Sequence, residues 1–252
     1  MIVSMGGDSG LYVFGTLGFL KALNKVGVRD VSYRCCGFSC IPLVLSLVYS
    51  NNRAYNMLVR REPLLRKIFG WVYQDGAHLR TAVDVLKVMA SVEIKKIPLF
   101  NRDRVPSLIE GMFPDIGISD VGDLEIGVLD VGSGEEKMLK GAFSLRKALI
   151  STLRFTPTPE PFEGKYVSCV GSVGFPEGDV VLDLEMEREV LIPKRAIESI
   201  ILAFQARREK VKKIRFEKAK ASVRLKFKYF PKDLEVYNEV YRNSLRLLSQ
   251  SV

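Results

Sequence analysis

The sequence lacks an apolar run long enough to cross a bilayer, which takes roughly 18 residues. Its longest apolar run, residues 41–49, has the length of a buried helix instead. Near the N-terminus, the glycine-rich segment at residues 6–10 interrupts the apolar stretch that a signal peptide would need. We therefore expect a soluble, cytoplasmic protein. If it associates with a membrane, we expect it to do so by peripheral contact.

Cysteine and histidine are scarce, with four and one residues respectively. Cys35, Cys36, Cys40 and Cys169 fit neither the spacing of a zinc ribbon nor that of a redox Cys-x-x-Cys pair. We expect reduced, buried thiols that pack as small apolar side chains. His78 is assigned to the surface, and the sequence predicts no metal or cofactor site.

Internal repeats, low-complexity segments and nucleic-acid-binding motifs are also missing, while 47% hydrophobic residues are ample for a core. The net charge of +9 is concentrated in residues 207–228, which contain eleven Lys or Arg and two Glu. This stretch predicts a solvated basic face, or peripheral contact with anionic lipid; nucleic acid is the least favoured partner. The residues expected to make the lipid contact are Arg207, Arg208, Lys210, Lys212, Lys213, Arg224, Lys226 and Lys228.

The first fifty residues alternate between β-prone and helical patterns. Residues 2–5 form a short β-prone run, and apolar residues at three-residue steps over 11–23 predict a helix that stops at Gly27. Residues 31–36 are strand-like, and residues 41–49 are predicted to be helical. This order predicts a parallel βαβ unit whose loops meet at one edge of the sheet.

The later residues continue the alternation without a linker, so we expect one domain over residues 1–252. The predicted strands lie at residues 124–131, 165–170, 180–185 and 223–227. The predicted helices lie at residues 101–112, 144–152, 193–213 and 233–248. Residues 53–92 are also predicted to be mostly helical, and we interpret this segment as a lid.

Two features of the first forty residues carry chemistry together. The glycine-rich segment after the first strand leaves backbone N–H groups that can hold an anionic oxygen. The Gly37-x-Ser39 pair lies between a short strand and a helix, which is the setting of a nucleophile elbow. Either feature alone is weak, and the two in this order predict a serine nucleophile beside an oxyanion loop.

Further segments extend the pattern, and with them the chain resembles the patatin-like phospholipases. The matching segments are residues 18–23 (GFLKAL), 37–41 (GFSCI), 129–135 (LDVGSGE), 148–161 (ALISTLRFTPTPEP) and 166–170 (YVSCV). The resemblance covers essentially the whole chain. It implies an α/β fold with a mostly parallel central sheet and helices on both faces.

The resemblance also implies a chemistry, the hydrolysis of lipid acyl esters by a Ser–Asp pair without histidine. It assigns Ser39 as the nucleophile and places Gly6, Gly7 and Asp8 in the oxyanion loop. The position of the family's aspartate is held by Ser168. It further implies that the segments of Cys40 and Cys169 lie close together, so that a disulfide or thiol cluster there is an alternative to inert packing.

Three departures from the family pattern weaken the predicted catalysis. Ser168 is a neutral hydroxyl, which does not activate another serine as a base. Asp8 puts negative charge in an oxyanion loop that is one residue short, and Ile41 stands where the family has a small residue. The proposed substitute base is Asp179, and the weaker alternatives are Asp183, Glu160, Glu163 and His78.

Two functions follow from these observations. The first is a patatin-like serine acyl hydrolase with eroded catalytic machinery. The alternative is a catalytically inactive protein of the same fold that binds lipid acyl groups or an anionic membrane surface.

Overall fold

The structure is a computed structural model that describes residues 1–6, 13–69, 104–154, 161–186, 196–227 and 233–251. Its strands, in chain order, are β1 (Ile2–Gly6), β2 (Ser32–Cys35), β3 (Leu124–Asp130), β4 (Glu135–Leu139), β5 (Tyr166–Ser168), β6 (Val180–Met186) and β7 (Ala221–Phe227). Its α-helices are α1 (Val13–Val26), α2 (Cys40–Val48), α3 (Asn51–Phe69), α4 (Arg104–Glu110), α5 (Leu145–Thr152), α6 (Val170–Val173), α7 (Ala196–Lys218) and α8 (Asp233–Ser251).

All the described strands join one sheet, in the order β4-β3-β2-β1-β6-β7, and β5 pairs with β3. The central pairings β3–β2, β2–β1, β1–β6 and β6–β7 are parallel. Only the pairings of β3 with β4 and with β5 are antiparallel among the described strands. The α/β fold with a mostly parallel sheet is therefore confirmed.

Helices cover both faces of this sheet. Leu184 of β6 faces α1, because a Cβ on Gly15 would lie 2.7 Å from its Cδ1 atom. Its neighbour Asp183 contacts Lys212 of α7 instead, and adjacent residues of a strand point to opposite faces. Helix α8 covers the first face with α1, and the two backbones approach so closely that a Cβ on Gly18 would lie 2.3 Å from the Tyr237 carbonyl oxygen.

The opening βαβ unit forms as the sequence predicts. Strands β1 and β2 are parallel neighbours with Met5 opposite Cys35. Helix α1 connects them and ends before Gly27, whose φ of +80° suits glycine at a helix C-terminus.

The longest apolar run forms α2, which is buried over Cys40–Leu45. Among the described residues, no helix combines the length and apolar character needed to span a bilayer. Part of the predicted lid, residues 53–92, falls in α3, where Ala54, Leu58 and Leu65 are buried in the core. That part is therefore packed rather than a lid, and residues 70–92 lie outside the described residues.

Candidate functional site

Ser39 lies where β2 turns into α2, as predicted. Cys36 is extended, Gly37 has a φ of +65°, and Gly37–Ser39 form one turn of 3₁₀ helix before α2 begins. The left-handed conformation falls on Gly37, where the missing Cβ removes its steric cost, and Ser39 itself has a helical φ of −63°. We call residues 36–40 the Ser39 turn.

The Ser39 hydroxyl is directed at the end of β1. Its Oγ donates toward the Cys36 carbonyl oxygen at 2.9 Å and the Met5 carbonyl oxygen at 3.1 Å, and the residue is 7% exposed. Met5 directly precedes Gly6, so Ser39 lies beside the start of the glycine-rich segment. Because a hydroxyl has one proton, main-chain carbonyls share it, and no carboxylate in the described part of the chain accepts it.

Gly6 is required by packing at the carboxyl end of β1. A Cβ there would lie 2.4 Å from the Gly174 carbonyl oxygen and 2.5 Å from the Cβ of Phe175. The close approach explains glycine at this position whether or not its N–H group binds an oxyanion. Gly7 and Asp8, the other predicted oxyanion residues, lie outside the described residues.

Thr152 anchors the Ser39 turn and was not singled out by the sequence. Its Oγ1 accepts a hydrogen bond from the Gly37 N–H at 2.8 Å and donates one to the Gly127 carbonyl oxygen at 2.8 Å. The side chain is fully buried at the end of α5. The turn is thereby tied to β3, and the only available signal was that Thr152 falls within a segment that resembles the family.

Ser168 lies close to the Ser39 turn, as the resemblance implies. Cys35 of β2 pairs with Ile126 of β3, and Ser168 of β5 pairs with Val128. Strand β5 therefore lies on the same side of β3 as β2, beyond the end of β2. The two pairing positions are two residues apart on β3, which at the rise of a strand places Ser168 roughly 7 Å beyond Cys35. Ser168 is 3% exposed, and its Oγ accepts a hydrogen bond from the Val170 N–H at 3.4 Å.

The prediction that Asp179 acts as the substitute base is wrong. It lies before β6 at the amino end of β1, where its Oδ2 accepts a hydrogen bond from the Ile2 N–H at 2.8 Å. Lys220 pairs with its Oδ1 at 3.1 Å. Ser39 follows the carboxyl ends of the same parallel strands, at the opposite edge of the sheet. The hydrogen bond from Ile2 and the charge of Lys220 also lower the pKa of Asp179, which makes it a weaker base.

The weaker alternatives for a base are also engaged elsewhere or undescribed. Asp183 is fully buried and pairs with Lys212 at 2.6 Å. Glu163 is exposed and pairs with Lys147 at 2.8 Å. Glu160 and His78 lie outside the described residues.

Two of the four cysteines form a disulfide, which corrects the expectation of four reduced thiols. Cys35 is bonded to Cys40, with 5.2 Å between their Cα atoms. Cys36 and Cys169 remain free and buried, and the Cys36 side chain contacts that of Cys169 at the first residue of the Ser39 turn. Burial, together with the neighbouring Cys169 thiol, raises the pKa of Cys36 well above its usual range, so Cys36 stays a thiol.

Part of the predicted basic surface is instead a buried charge cluster, which we define as Asp183, Glu185, Arg208 and Lys212. Arg224, whose side chain is 42% exposed, borders this cluster. Lys212 is 1% exposed, and its Nζ contacts both carboxylates. Arg208 is 6% exposed and lies 3.7 Å from Glu185, while Arg224 lies 3.9 Å from the same carboxylate. Arg208 and Lys212 are therefore unavailable to a membrane, and Arg224 is paired.

Like Arg224, four other residues of the predicted lipid contact reach solvent. Arg207, Lys210 and Lys213 are exposed on the outer side of α7, and Lys226 is exposed on β7. Ile214, beside Lys213, is 44% exposed. Lys228 lies outside the described residues.

A scan against protein-family models gives no match, and a search of curated proteins gives none either. The site must therefore be judged on its geometry. It consists of a buried serine at a glycine-dependent strand-to-helix turn, next to the end of β1. Main-chain carbonyls accept the serine proton, and no carboxylate in the described part of the chain does so.

Proposed function

We propose that this protein carries a patatin-like serine acyl-hydrolase site for lipid acyl esters, with Ser39 as the nucleophile. One observation carries the proposal: Ser39 occupies a glycine-dependent turn after β2, with its Oγ 3.1 Å from the Met5 carbonyl oxygen beside Gly6. A serine in this setting can face an acyl carbon while the N–H groups of a glycine-rich loop stabilise the oxyanion.

Among the residues that the structure describes, no proton acceptor serves Ser39, and this limits the rate expected of such a reaction. To attack an ester, Ser39 must lose the proton that it now donates to main-chain carbonyls, and the neutral Ser168 is a poor acceptor. A general base typically contributes about 10²–10⁴-fold to a rate. We therefore expect slow turnover, below that of a Ser–Asp pair by about this factor.

Ser39→Ala is expected to reduce the hydrolysis of a short-chain p-nitrophenyl ester to the rate of the buffer blank. The substitution removes the only nucleophile in this proposal, and the measurement is absorbance at a fixed enzyme concentration. Ser46→Ala, in the helix that follows Ser39, is the matched control, because the Ser46 Oγ is buried and has no hydrogen-bond partner among the described residues. Equal rates for wild type and Ser39→Ala would end the hydrolase proposal.

A second candidate function is non-catalytic binding of lipid acyl groups at an anionic membrane surface. The engaged proton of Ser39 and the neutral Ser168 favour it, and so do the exposed cations Arg207, Lys210 and Lys213 on α7. A basic residue near an anionic surface contributes about 1 kcal/mol to binding.

Joint replacement of Arg207, Lys210 and Lys213 by glutamine is expected to weaken binding to anionic vesicles by about 10²-fold, the sum of three such contributions. Sedimentation with phosphatidylserine-containing vesicles, compared with neutral vesicles, measures this change. The matched control replaces Lys25, Arg29 and Arg246, which are exposed on helices or loops of the opposite face. Binding that is absent, insensitive to salt or equal for both variants would remove the membrane candidate.

A further inference from the structure

The Cys35–Cys40 disulfide spans the Ser39 turn. Cys35 is the last residue of β2 and Cys40 is the first residue of α2, so the bond closes a loop around Gly37 and Ser39. The 5.2 Å between the two Cα atoms lies within the usual range for disulfides. Both cysteines are fully buried.

Hydrogen bonds of Gly37 and Ser39 hold the turn together with this covalent bond. Thr152 holds the Gly37 N–H, and the Ser39 hydroxyl bonds to the Met5 and Cys36 carbonyls. The disulfide differs from these contacts because a thiol reductant can open it without changing any side chain.

We propose that the Cys35–Cys40 disulfide is a redox-sensitive site that fixes the conformation of the Ser39 turn. A dithiol reductant supplies the two electrons: its thiolate attacks one sulfur, and the other sulfur leaves as a thiolate and is protonated. The second thiol of the reductant, as a thiolate, then attacks the reductant's own sulfur in the mixed disulfide, and the second cysteine leaves as a thiolate and is protonated, which yields two cysteine thiols and the oxidised, cyclic reductant. The proposal does not require Ser39 to hydrolyse anything, so it goes beyond the function proposed above.

Cys36 and Cys169 are not the reacting pair. Both are already free thiols, and the raised pKa of Cys36 leaves little of the thiolate that attacks disulfides. They serve instead as an internal reference for counting thiols.

The count of alkylated cysteines tests whether the bond forms. Protein equilibrated with oxidised glutathione is denatured in excess iodoacetamide, and intact mass then gives the number of modified thiols. We expect two modified cysteines, Cys36 and Cys169, and four after treatment of the folded protein with dithiothreitol. Four modified cysteines in the glutathione-treated protein would overturn the proposal.

Backbone hydrogen exchange tests whether the bond fixes the turn. Reduction is expected to accelerate exchange of the amides of residues 37–41 by about tenfold or more, and to leave α8 unchanged. The loop model of disulfide stabilisation further predicts a Tm lower by about 4–8 °C after reduction. Equal exchange at residues 37–41 in both redox states would contradict the proposed control of Ser39.

Paired variants separate the bond from general effects of the reductant. The double substitution Cys35→Ala with Cys40→Ala should show fast exchange at residues 37–41 and no response to dithiothreitol. The double substitution Cys36→Ala with Cys169→Ala should keep the full response. A response that follows the second pair instead would overturn the assignment, and the wild-type measurements stand even where a variant does not fold.

Discussion

Ser168→Asp is expected to raise the turnover of a short-chain p-nitrophenyl ester by about 10²–10⁴-fold, the usual contribution of a general base. Ser168 is the last residue of β5, roughly 7 Å beyond the end of β2 at Cys35. The next residue, Cys169, contacts Cys36 of the Ser39 turn. An aspartate here sits in a position that is 3% exposed in the present protein. Burial raises the pKa of a carboxyl group, which strengthens it as a base.

The isosteric Ser168→Asn variant is the control for this gain, because it has the shape of aspartate without its basicity. The gain should also vanish when Ser168→Asp is combined with Ser39→Ala, since the two groups act as a unit. A folded Ser168→Asp protein with wild-type turnover would show that Ser168 does not occupy the position of a base.

Lys212→Met is expected to lower the free energy of unfolding by about 3–5 kcal/mol, because it leaves buried carboxylates without their main counter-ion. Lys212 is 1% exposed, and its Nζ contacts Asp183 at 2.6 Å and also Glu185. Its aliphatic chain packs against Gly174, where a Cβ would lie 2.6 Å from the lysine Cδ. Methionine keeps most of this apolar packing, so the expected loss reports on the charge.

Lys213→Met is the matched control, since the Lys213 side chain is 79% exposed and its ion pair with Glu217 is long, at 4.0 Å. Surface substitutions of this kind change stability by about 0.5 kcal/mol or less. Urea unfolding of both variants measures the difference. If Lys212→Met were as stable as Lys213→Met, the buried charge cluster would not contribute to folding as described.

The sequence was sufficient for the opening of the fold because each element there has a clear local pattern. Three-residue apolar steps defined α1, and Gly27 ended it with a positive φ. The strand-like run before Gly37 and the apolar run after it gave β2 and α2 on the correct sides of Ser39. The pattern also placed Ser39 at the strand-to-helix turn, the position on which the proposed function depends.

Strand β4 shows where local patterns fail. Its sequence, Glu135–Leu139, contains three charged residues and no alternation of apolar and polar side chains. It is a strand because it pairs with β3 as an antiparallel hairpin, with Asp130 opposite Glu135. Tertiary pairing of this kind overrides intrinsic β-propensity, which depends on context.

The disulfide and the buried charge cluster could not be predicted for a different reason. Cys35 and Cys40 come within bonding distance only because the chain turns sharply at Gly37, and their spacing in the sequence does not reveal this turn. Likewise, the basic stretch gives the charge of Lys212 but not its partner, because the contact depends on how α7 packs against β6. The prediction of Asp179 as the base was wrong because closeness along the sequence did not mean closeness in space. Asp179 is eleven residues from Ser168 in the chain, but it lies at the opposite edge of the sheet from Ser39.

Covalent labelling with a fluorophosphonate tests most directly whether Ser39 is a nucleophile position. The serine oxygen attacks phosphorus and fluoride leaves, so peptide mass spectrometry identifies the modified residue. We predict one adduct, on Ser39, formed slowly in the wild type and rapidly in Ser168→Asp, and absent from Ser39→Ala. An adduct on another residue that persists in Ser39→Ala, or no adduct on Ser39 in either protein, would contradict the account.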